Sequence, residues 1–406
     1  MPGDKLNEDD WQFGGSGYGR LSPLGMAQHF ALGRWMRRRY VDSKFLSAGY
    51  KSKEIHVMAT DIDRALISAT SNMVGMYSGT DKENTDGLQG SWPSGFVPVP
   101  VHTQKIEEDL IGGPAECPRR DLLGDMALAQ MEYQDFLASD QTTSTLRILT
   151  NSLGFKITMD NFERTRDILL VEKQHFPQFS AWYPWYTDDL VGKIDFVYKQ
   201  YIDYSFGQFD NSITDSGIDL KVEIPKVSAG VMINEIKNQA DAVANCYRNK
   251  TLHQAAPCHP EDHFHQNLKY QVFSMHDVNV DALLSVLGAL RKVFAPSKFA
   301  QYASSVLTEF YYDSSTDTTV FKLLFFPGVN NGTIDSDPNS PFTVITSLVD
   351  GCGAADYCDI KVFHALADQF NPGDIRKLCD TPPEGSPAGP LASLPIPFSP
   401  VASDEA

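Results

Sequence analysis

Apolar and polar residues alternate in two short stretches of the chain, and a helical pattern follows each stretch. Residues 54–60 carry Ile55, Val57 and Ala59 at alternate positions, which predicts a half-buried strand, and a helix then runs to about Tyr77. Residues 268–290 repeat this plan, with an apolar strand, a polar junction at residues 274–279 and an amphipathic helix. Ligands of α/β sheets lie beyond the carboxyl ends of the strands, so the two junctions compete as candidate sites.

The rest of the pattern predicts an α/β fold, a mixed central sheet with helices on both faces. Ser22 followed by Pro23 begins a helix that runs to Tyr40. Prolines interrupt the strand predicted at residues 95–103, which places it at a sheet edge. Residues 118–225 are mostly helical and are interpreted as a cap inserted into the core, whereas residues 304–313 and 319–326 alternate like paired strands. Residues 381–406 are rich in proline and serine, and we expect them to be disordered.

The helix after the first strand has acidic residues where a helix begins. Thr60 and Asp63 have the spacing of a capping box, so Thr60 is predicted to start the helix, with Asp61 and Asp63 as caps. Arg64 then lies in the first turn, where we expect it to pair with a neighbouring acid.

The charge and the hydropathy of the chain argue against nucleic-acid binding and against a membrane-spanning segment. The formal net charge is -18, and the basic residues cluster only at residues 34–39, where they are interpreted as complementing the dipole at a helix end. Nucleic acid is therefore not expected as a partner. Because no run of 18 apolar residues occurs, no transmembrane segment is expected either.

Two short motifs contain residue types that bind ligands in other proteins. The GGSGYG stretch at residues 14–19 follows no strand, so we interpret it as a turn rather than a dinucleotide site. Residues 258–265, CHPEDHFH, match no zinc spacing, and we interpret them as a polar loop in which Cys258 bonds to Cys246. No metal or other cofactor is expected.

The dipeptide His276-Asp277 lies at the second junction, where side chains point into a cleft. Asp277 is a candidate general acid, and His276 is a candidate donor to an anion. Spacing alone leaves open that the pair is an accident of composition.

Several motifs together resemble those of the histidine acid phosphatases, in the order and at the spacings of that family. They are the stretches WQFGGSGYGRLSPLGMAQHFALGRWMRRRY (11–40), ATDIDRALISATSNMVGMY (59–77), VPVPVHT (97–103), GVMINEI (230–236) and FSMHDVNV (273–280). The resemblance extends from about Trp11 to Cys379. It implies a histidine acid phosphatase-like domain at residues 1–380, of the phosphoglycerate mutase/acid phosphatase-like fold, with a helical cap at about 118–225.

The resemblance implies hydrolysis of a small phosphate monoester or a phosphoprotein through a phosphohistidine. In that mechanism Asp277 is the proton donor and His276 contacts the phosphate. The chain departs from the family in two respects: it contains no Arg-His-Gly-x-Arg motif, which would precede Met1, and Met58 stands where the family has a phosphate-binding arginine. We therefore expect this chain to be inactive as written.

Three accounts of this departure remain open. The sequence is a fragment or begins late, or it is a pseudophosphatase that binds a ligand without turnover. In the third account, it is a secreted protein that binds a metal or another ligand through the loop at residues 258–265.

The cysteines and sequons indicate an oxidising compartment. By position, the resemblance implies disulfides Cys117–Cys379 and Cys352–Cys358, besides the local pair Cys246–Cys258. Sequons occur at Asn249 and Asn331, so glycosylation is expected. The residues after Met1 do not resemble a signal peptide, yet the family implies that the full-length protein is secreted or lysosomal. Family analogy leaves a homodimer open.

Overall fold

A computed structural model describes residues 19–79, 91–112, 116–251, 268–294, 298–328 and 341–383. In these ranges the helices are α1 (Pro23–Met36), α2 (Asp63–Tyr77), α3 (Pro118–Leu128), α4 (Met131–Ala138), α5 (Asp140–Leu153), α6 (Met159–His175), α7 (Phe179–Trp182), α8 (Asp188–Ser205), α9 (Leu220–Thr251), α10 (Asp277–Val286), α11 (Leu290–Val293), α12 (Ile360–Gln369) and α13 (Ile375–Cys379). The strands are β1 (Ile55–Ala59), β2 (Tyr270–Ser274), β3 (Ser305–Asp313), β4 (Thr318–Phe326), β5 (Thr343–Val344) and β6 (Cys358–Asp359).

The strands form two groups. β1 and β2 are parallel, with Ile55 opposite Tyr270 and Ala59 opposite Ser274. His102 makes a parallel bridge to Met58 on the other side of β1, so the proline-interrupted segment lies at an edge. β3 and β4 form the predicted antiparallel pair, and β5 and β6 both pair with β4.

Helices cover both faces of these strands. On one face, Trp35 of α1 and Met76 of α2 share a hydrophobic cluster with Val57 of β1 and Leu307 of β3. On the other face, α9, α10, α12 and the cap helices form a second cluster with inward residues of β4. The predicted mixed sheet between two helical layers is confirmed.

Glycines allow α1 and α2 to cross at very short distance. A Cβ atom added to Gly33 would lie 1.9 Å from the carbonyl oxygen of Asn72, and one added to Gly75 would lie 2.2 Å from that of Phe30. The predicted start of α1 is confirmed, because the Ser22 hydroxyl accepts a hydrogen bond from the Gly25 amide at 3.1 Å. The crossing fixes the start of α2 relative to the end of β1.

The basic cluster after α1 makes individual contacts rather than only complementing the helix dipole. α1 ends at Met36, and a π-helical turn continues over Arg37–Val41. Arg37 donates to the carbonyl of Met76 at 3.0 Å. Arg39 binds the carboxylate of Glu309 with two hydrogen bonds, at 2.5 and 2.8 Å. Arg37 therefore ties the turn after α1 to α2, and Arg39 ties it to β3.

The predicted start of α2 is wrong. Ile62, not Thr60, is the N-cap residue, and it makes no side-chain capping bond. The Thr60 hydroxyl is buried without a hydrogen-bond partner among the described residues, and Asp63 pairs with Arg20. Thr60 still belongs to the strand pairing, because its amide donates to the carbonyl of Ser274 at 3.3 Å, and the neighbouring loop packs so closely that a Cβ on Gly112 would lie only 2.6 Å from its hydroxyl.

Both disulfides that the resemblance implied in this part of the chain are present, Cys117–Cys379 and Cys352–Cys358. The first joins the start of α3 to α13 across 262 residues of sequence. Cys258, the loop at 258–265, Asn331 and residues 384–406 lie outside the described residues, as does the turn at 14–18. No described helix is long and apolar enough to cross a membrane.

Candidate functional site

The two competing junctions form one site. β1 and β2 are adjacent and parallel, and the Thr60 amide donates to the carbonyl of Ser274 at 3.3 Å, so both strands end at the same edge. α2 and α10 therefore begin close to each other, and the N-termini of both helices carry partial positive charge there. This edge can accept an anion.

His276 is the N-cap residue of α10, and its backbone amide donates to the Asn279 side chain at 3.1 Å. Asn279 in turn donates to the carbonyl of Ile111 at 3.2 Å, which attaches the junction to the loop after residue 106. The His276 Nε2 atom is buried and has no hydrogen-bond partner among the described residues. Burial lowers the pKa of His276, and the positive charge of Arg64 lowers it further. The imidazole is therefore neutral at pH 7 and has a free nitrogen for a ligand.

Asp277 is the first residue of α10, and its side chain is exposed. One carboxylate oxygen accepts a hydrogen bond from the Val278 amide at 3.0 Å. An acid held at a helix N-terminus beside a neutral histidine can serve as a proton donor or repel a bound anion, depending on its protonation.

Met58 lies on β1 opposite Phe273, one residue from the end of the strand. It shares its strand face with His56, whose ring stacks on His102 with 4.6 Å between the ring centroids. A thioether carries no charge and no hydrogen-bond donor. At this position the strand end supplies nothing that holds a phosphate.

Arg64 lies in the first turn of α2, and its side chain lines the same cavity as His276 and Asp277. The expectation that it pairs with a neighbouring acid is wrong, because Asp63 pairs with Arg20 and Arg64 has no hydrogen bond or ion pair with a described residue. Burial lowers the pKa of Arg64, while the charge of Asp277 opposes that shift. A guanidinium nevertheless stays protonated at neutral pH. Arg64 thus places a positive charge, without a hydrogen bond to a described residue, beside the acid.

The cavity at this edge has a volume of about 1440 Å³, and α6 of the cap forms its opposite wall with Arg164, Arg166 and Asp167. The Arg166 guanidinium lies between the rings of Tyr198 and Phe299, 3.9 and 4.0 Å from their centroids. It also contacts Asp167 at 3.0 Å. Stacking on the two rings and pairing with Asp167 hold Arg166 in place, so Arg166 forms part of the cavity wall. Arg64 remains available to bind a ligand.

Glu163, also on α6, contributes a second acid near Asp277. Burial raises the pKa of Glu163 to about 8, and the negative charges of Asp167 and Asp277 add to that shift. At mildly acidic pH this carboxyl is neutral and does not repel an anion in the cavity.

Reasoning from sequence selected His276, Asp277 and Met58, and the structure brings all three to one edge of the sheet. It missed Arg64 as a ligand-facing residue and missed the wall formed by α6. The signal for Arg64 was Arg20, a basic residue that pairs with Asp63, the acid 43 positions later and next to Arg64.

Comparison with known proteins gives one family. The family model described as histidine phosphatase superfamily (branch 2) matches residues 2–326. The Caenorhabditis elegans protein named "Putative acid phosphatase 10" is 31% identical over 385 residues, which cover 92% of this chain and 89% of the relative. Lysosomal acid phosphatase of Rattus norvegicus is 29% identical over 381 residues, which cover 93% of this chain and 75% of the relative.

The fold also occurs in solved structures. Hafnia alvei phytase in complex with tartrate superposes with a TM-score of 0.59 over 90% of this chain and 89% of the phytase. The two sequences are 13% identical, so this similarity concerns the fold alone.

Proposed function

The chain belongs to the histidine phosphatase superfamily, branch 2, and from this premise we propose that these 406 residues bind a phosphate monoester without hydrolysing it. Arg64 and His276 hold the phosphate, and Asp277 lies beside it in the position of the family's proton donor. The observation that carries the proposal is Arg64, a cavity-lining guanidinium with no partner among the described residues.

The binding step follows from the groups at the edge. Arg64 offers a fork of N–H donors to two phosphate oxygens. The neutral His276 donates from Nε2 to a third oxygen when that nitrogen carries the proton. The two helix N-termini contribute further positive potential.

These residues lack the chemical groups that the phosphoryl-transfer step requires. Phosphoryl transfer requires an aligned nucleophile and a cationic cage around the equatorial oxygens. The 406 residues contain no Arg-His-Gly-x-Arg motif, and Met58 supplies no charge. Loss of one stabilising donor costs about 2.7 to 4 kcal/mol, or roughly a hundred- to thousandfold in rate. Because the nucleophile is missing as well, a bound ester is not hydrolysed by this mechanism.

A secreted or lysosomal setting fits this proposal. The disulfides Cys117–Cys379 and Cys352–Cys358 and the sequons at Asn249 and Asn331 support it. A small phosphate monoester or a phosphorylated protein is the proposed partner. Metal binding has no support in the described residues, which contain no group of three side chains able to hold a metal ion.

Isothermal titration with inorganic phosphate at pH 5 tests the binding site. We expect saturable binding, weakened about 10- to 100-fold in Arg64→Met, because a hydrogen bond to a charged group contributes about 1.5 to 3 kcal/mol. Arg147→Met is the matched control, since Arg147 is exposed on α5, and it should leave the affinity unchanged. Equal affinity in wild type and Arg64→Met would show that the phosphate binds elsewhere.

A further inference from the structure

Asn279 lies in the first turn of α10 and binds two backbone groups at once. Its side-chain oxygen accepts a hydrogen bond from the His276 amide at 3.1 Å, and its side-chain nitrogen donates to the carbonyl of Ile111 at 3.2 Å. A side-chain amide can do both, whereas a carboxylate only accepts and an ammonium group only donates. Asn279 is only 6% exposed, so water does not readily replace either bond. Asn279 therefore fixes the backbone of His276 relative to the loop that contains Ile111.

A buried acid holds that loop in place. One carboxylate oxygen of Asp109 accepts hydrogen bonds from the amides of Ile111 at 3.0 Å and Gly112 at 2.7 Å. Asp109 is only 4% exposed, so these charge-assisted bonds are shielded from solvent. The carbonyl of Ile111 consequently has a fixed position from which it can accept the bond from Asn279.

The backbone of Asn279 contacts the His276 ring. α10 begins with a capping box, in which the His276 side chain accepts a hydrogen bond from the Asn279 backbone amide. In an imidazole, only a ring nitrogen without a proton can accept a hydrogen bond. The His276 Nε2 atom has no hydrogen-bond partner among the described residues, so the accepting atom is Nδ1. The bond at one ring nitrogen determines the tautomer, and in neutral His276 the proton therefore lies on Nε2.

We propose that Asn279 is a positioning residue that keeps the proton of neutral His276 on Nε2, directed at the ligand. The backbone amide of Asn279 occupies Nδ1, and its side chain holds the helix start so that this bond persists. A proton on Nδ1 would face the N–H group of Asn279 and would break the bond. His276 is therefore a donor with one fixed direction. The consequence for phosphate rests on the function proposed above, whereas the tautomer does not depend on it.

The start of α6 provides a matched control. Asn161 accepts a hydrogen bond from the Thr158 amide at 2.9 Å and donates to the carbonyl of Lys156 at 3.0 Å, so it makes the same two types of bond as Asn279. The N-cap residue of α6 is Thr158, whose side chain has no tautomers. Asn161→Ala therefore removes equivalent bonds from a helix start that holds no histidine.

NMR on the full chain with 15N-labelled histidine measures the tautomer directly. Two-bond 15N–1H correlations at pH 7 show which ring nitrogen carries a proton, and His276→Gln identifies the His276 signals. We expect a single form, with a proton on Nε2 and none on Nδ1. His175 is an internal reference for the opposite case, because its Nδ1 atom lies 2.9 Å from the carbonyl oxygen of Val171, which only accepts. A proton on Nδ1 of His276, or a mixture of tautomers, would overturn the proposal.

Variants show whether Asn279 is the cause of the single tautomer. Asn279→Ala should add signals of the second His276 tautomer, because the helix start loses both side-chain bonds. Asn161→Ala should leave the His276 signals unchanged. If Asn279→Ala does not fold, Asn279→Ser takes its place with the same expected result, since its shorter side chain does not reach Ile111. Unchanged His276 signals in the folded variant at position 279 would contradict the proposal.

Titration with inorganic phosphate shows whether the tautomer matters for binding. If about half of the Asn279→Ala molecules adopt the second tautomer, the apparent affinity should fall about twofold, since only the competent fraction binds. In a His276→Ala background, Asn279→Ala should cause no further loss. An equal loss in both backgrounds would show that Asn279 does not act through His276 and would overturn the proposal. Absence of phosphate binding in the wild type would instead contradict the proposed function, while the NMR result would still decide the tautomer.

Discussion

The first junction, from β1 to α2, and the second junction, from β2 to α10, share one backbone plan but differ in chemistry. Each is a strand of five residues that ends at the same sheet edge and leads into a helix. The second junction carries His276 and Asp277, an unpartnered imidazole nitrogen and an acid at a helix start. The first carries Met58 one residue before the end of its strand, and its available cation, Arg64, lies in the following helix instead.

The difference shows that the shape of an anion site and its charge are set by different residues. Strand pairing, the α1–α2 crossing and the loop around Gly112 fix where the two helices begin. Single side chains at those fixed points then decide what the edge binds. A junction can therefore keep its geometry after losing its function, and substitutions at single positions should separate the two.

The largest expected effect comes from restoring charge to the first junction. Met58→Arg should raise phosphate affinity about 10- to 100-fold, because it adds a charge-assisted pair at the end of β1. Met58→Leu is the uncharged control and should behave like wild type in the same titration calorimetry. No gain in Met58→Arg would mean that Met58 does not face the phosphate.

A smaller effect is expected at the second junction. Asp277→Asn should raise phosphate affinity at pH 7 about fivefold, because an ionised aspartate about 4 Å from an anion costs roughly 1 kcal/mol in water. Titrations at low and high salt should show that the gain shrinks as salt screens the repulsion between the two charges. Asp135→Asn, an exposed change on α4, is the control. A gain of equal size at low and high salt would contradict the charge explanation.

The α6 wall opposite the second junction should make stability depend on pH. The pKa of Glu163 is raised by burial to about 8 from an ordinary 4.5, so the folded state binds more protons than the unfolded state between these values. Stability should therefore fall as pH rises from about 4.5 to 8. Glu163→Gln should reduce this fall in thermal melts, raising Tm at pH 8 while leaving it nearly unchanged at pH 4. If the Tm of the wild type and that of Glu163→Gln changed equally with pH, the result would argue against a buried carboxyl.

The smallest effect should come from the ion pair beside Arg64. Asp63→Asn releases Arg20, and exposed pairs of this kind contribute about 0 to 1 kcal/mol. Phosphate affinity should rise no more than about threefold, since one more cation becomes available near the edge. A loss of affinity would instead indicate that the Arg20–Asp63 pair positions Arg64.

The sequence predicts the junctions well because periodicity and strand length are local signals. The strand at β1, the strand at β2 and the presence of a helix after β2 follow from the order of residues within each segment, although that helix begins at Asp277, inside the predicted junction. The start of α2 and the environment of Arg64 do not, because they depend on Arg20 and Gly112, which are 43 and 52 positions distant from Asp63 and Thr60. The cap wall depends on α6 and α10 lining one cavity although they are far apart in the sequence, and no short motif provides a signal for that.

The central claim is tested most directly by incubating excess purified protein with para-nitrophenyl phosphate at pH 5 and following both bound ester and released para-nitrophenol. The account predicts saturable binding that depends on Arg64, with release no faster than in buffer. Release of para-nitrophenol at an ordinary enzymatic turnover, abolished by Asp277→Asn, would contradict it.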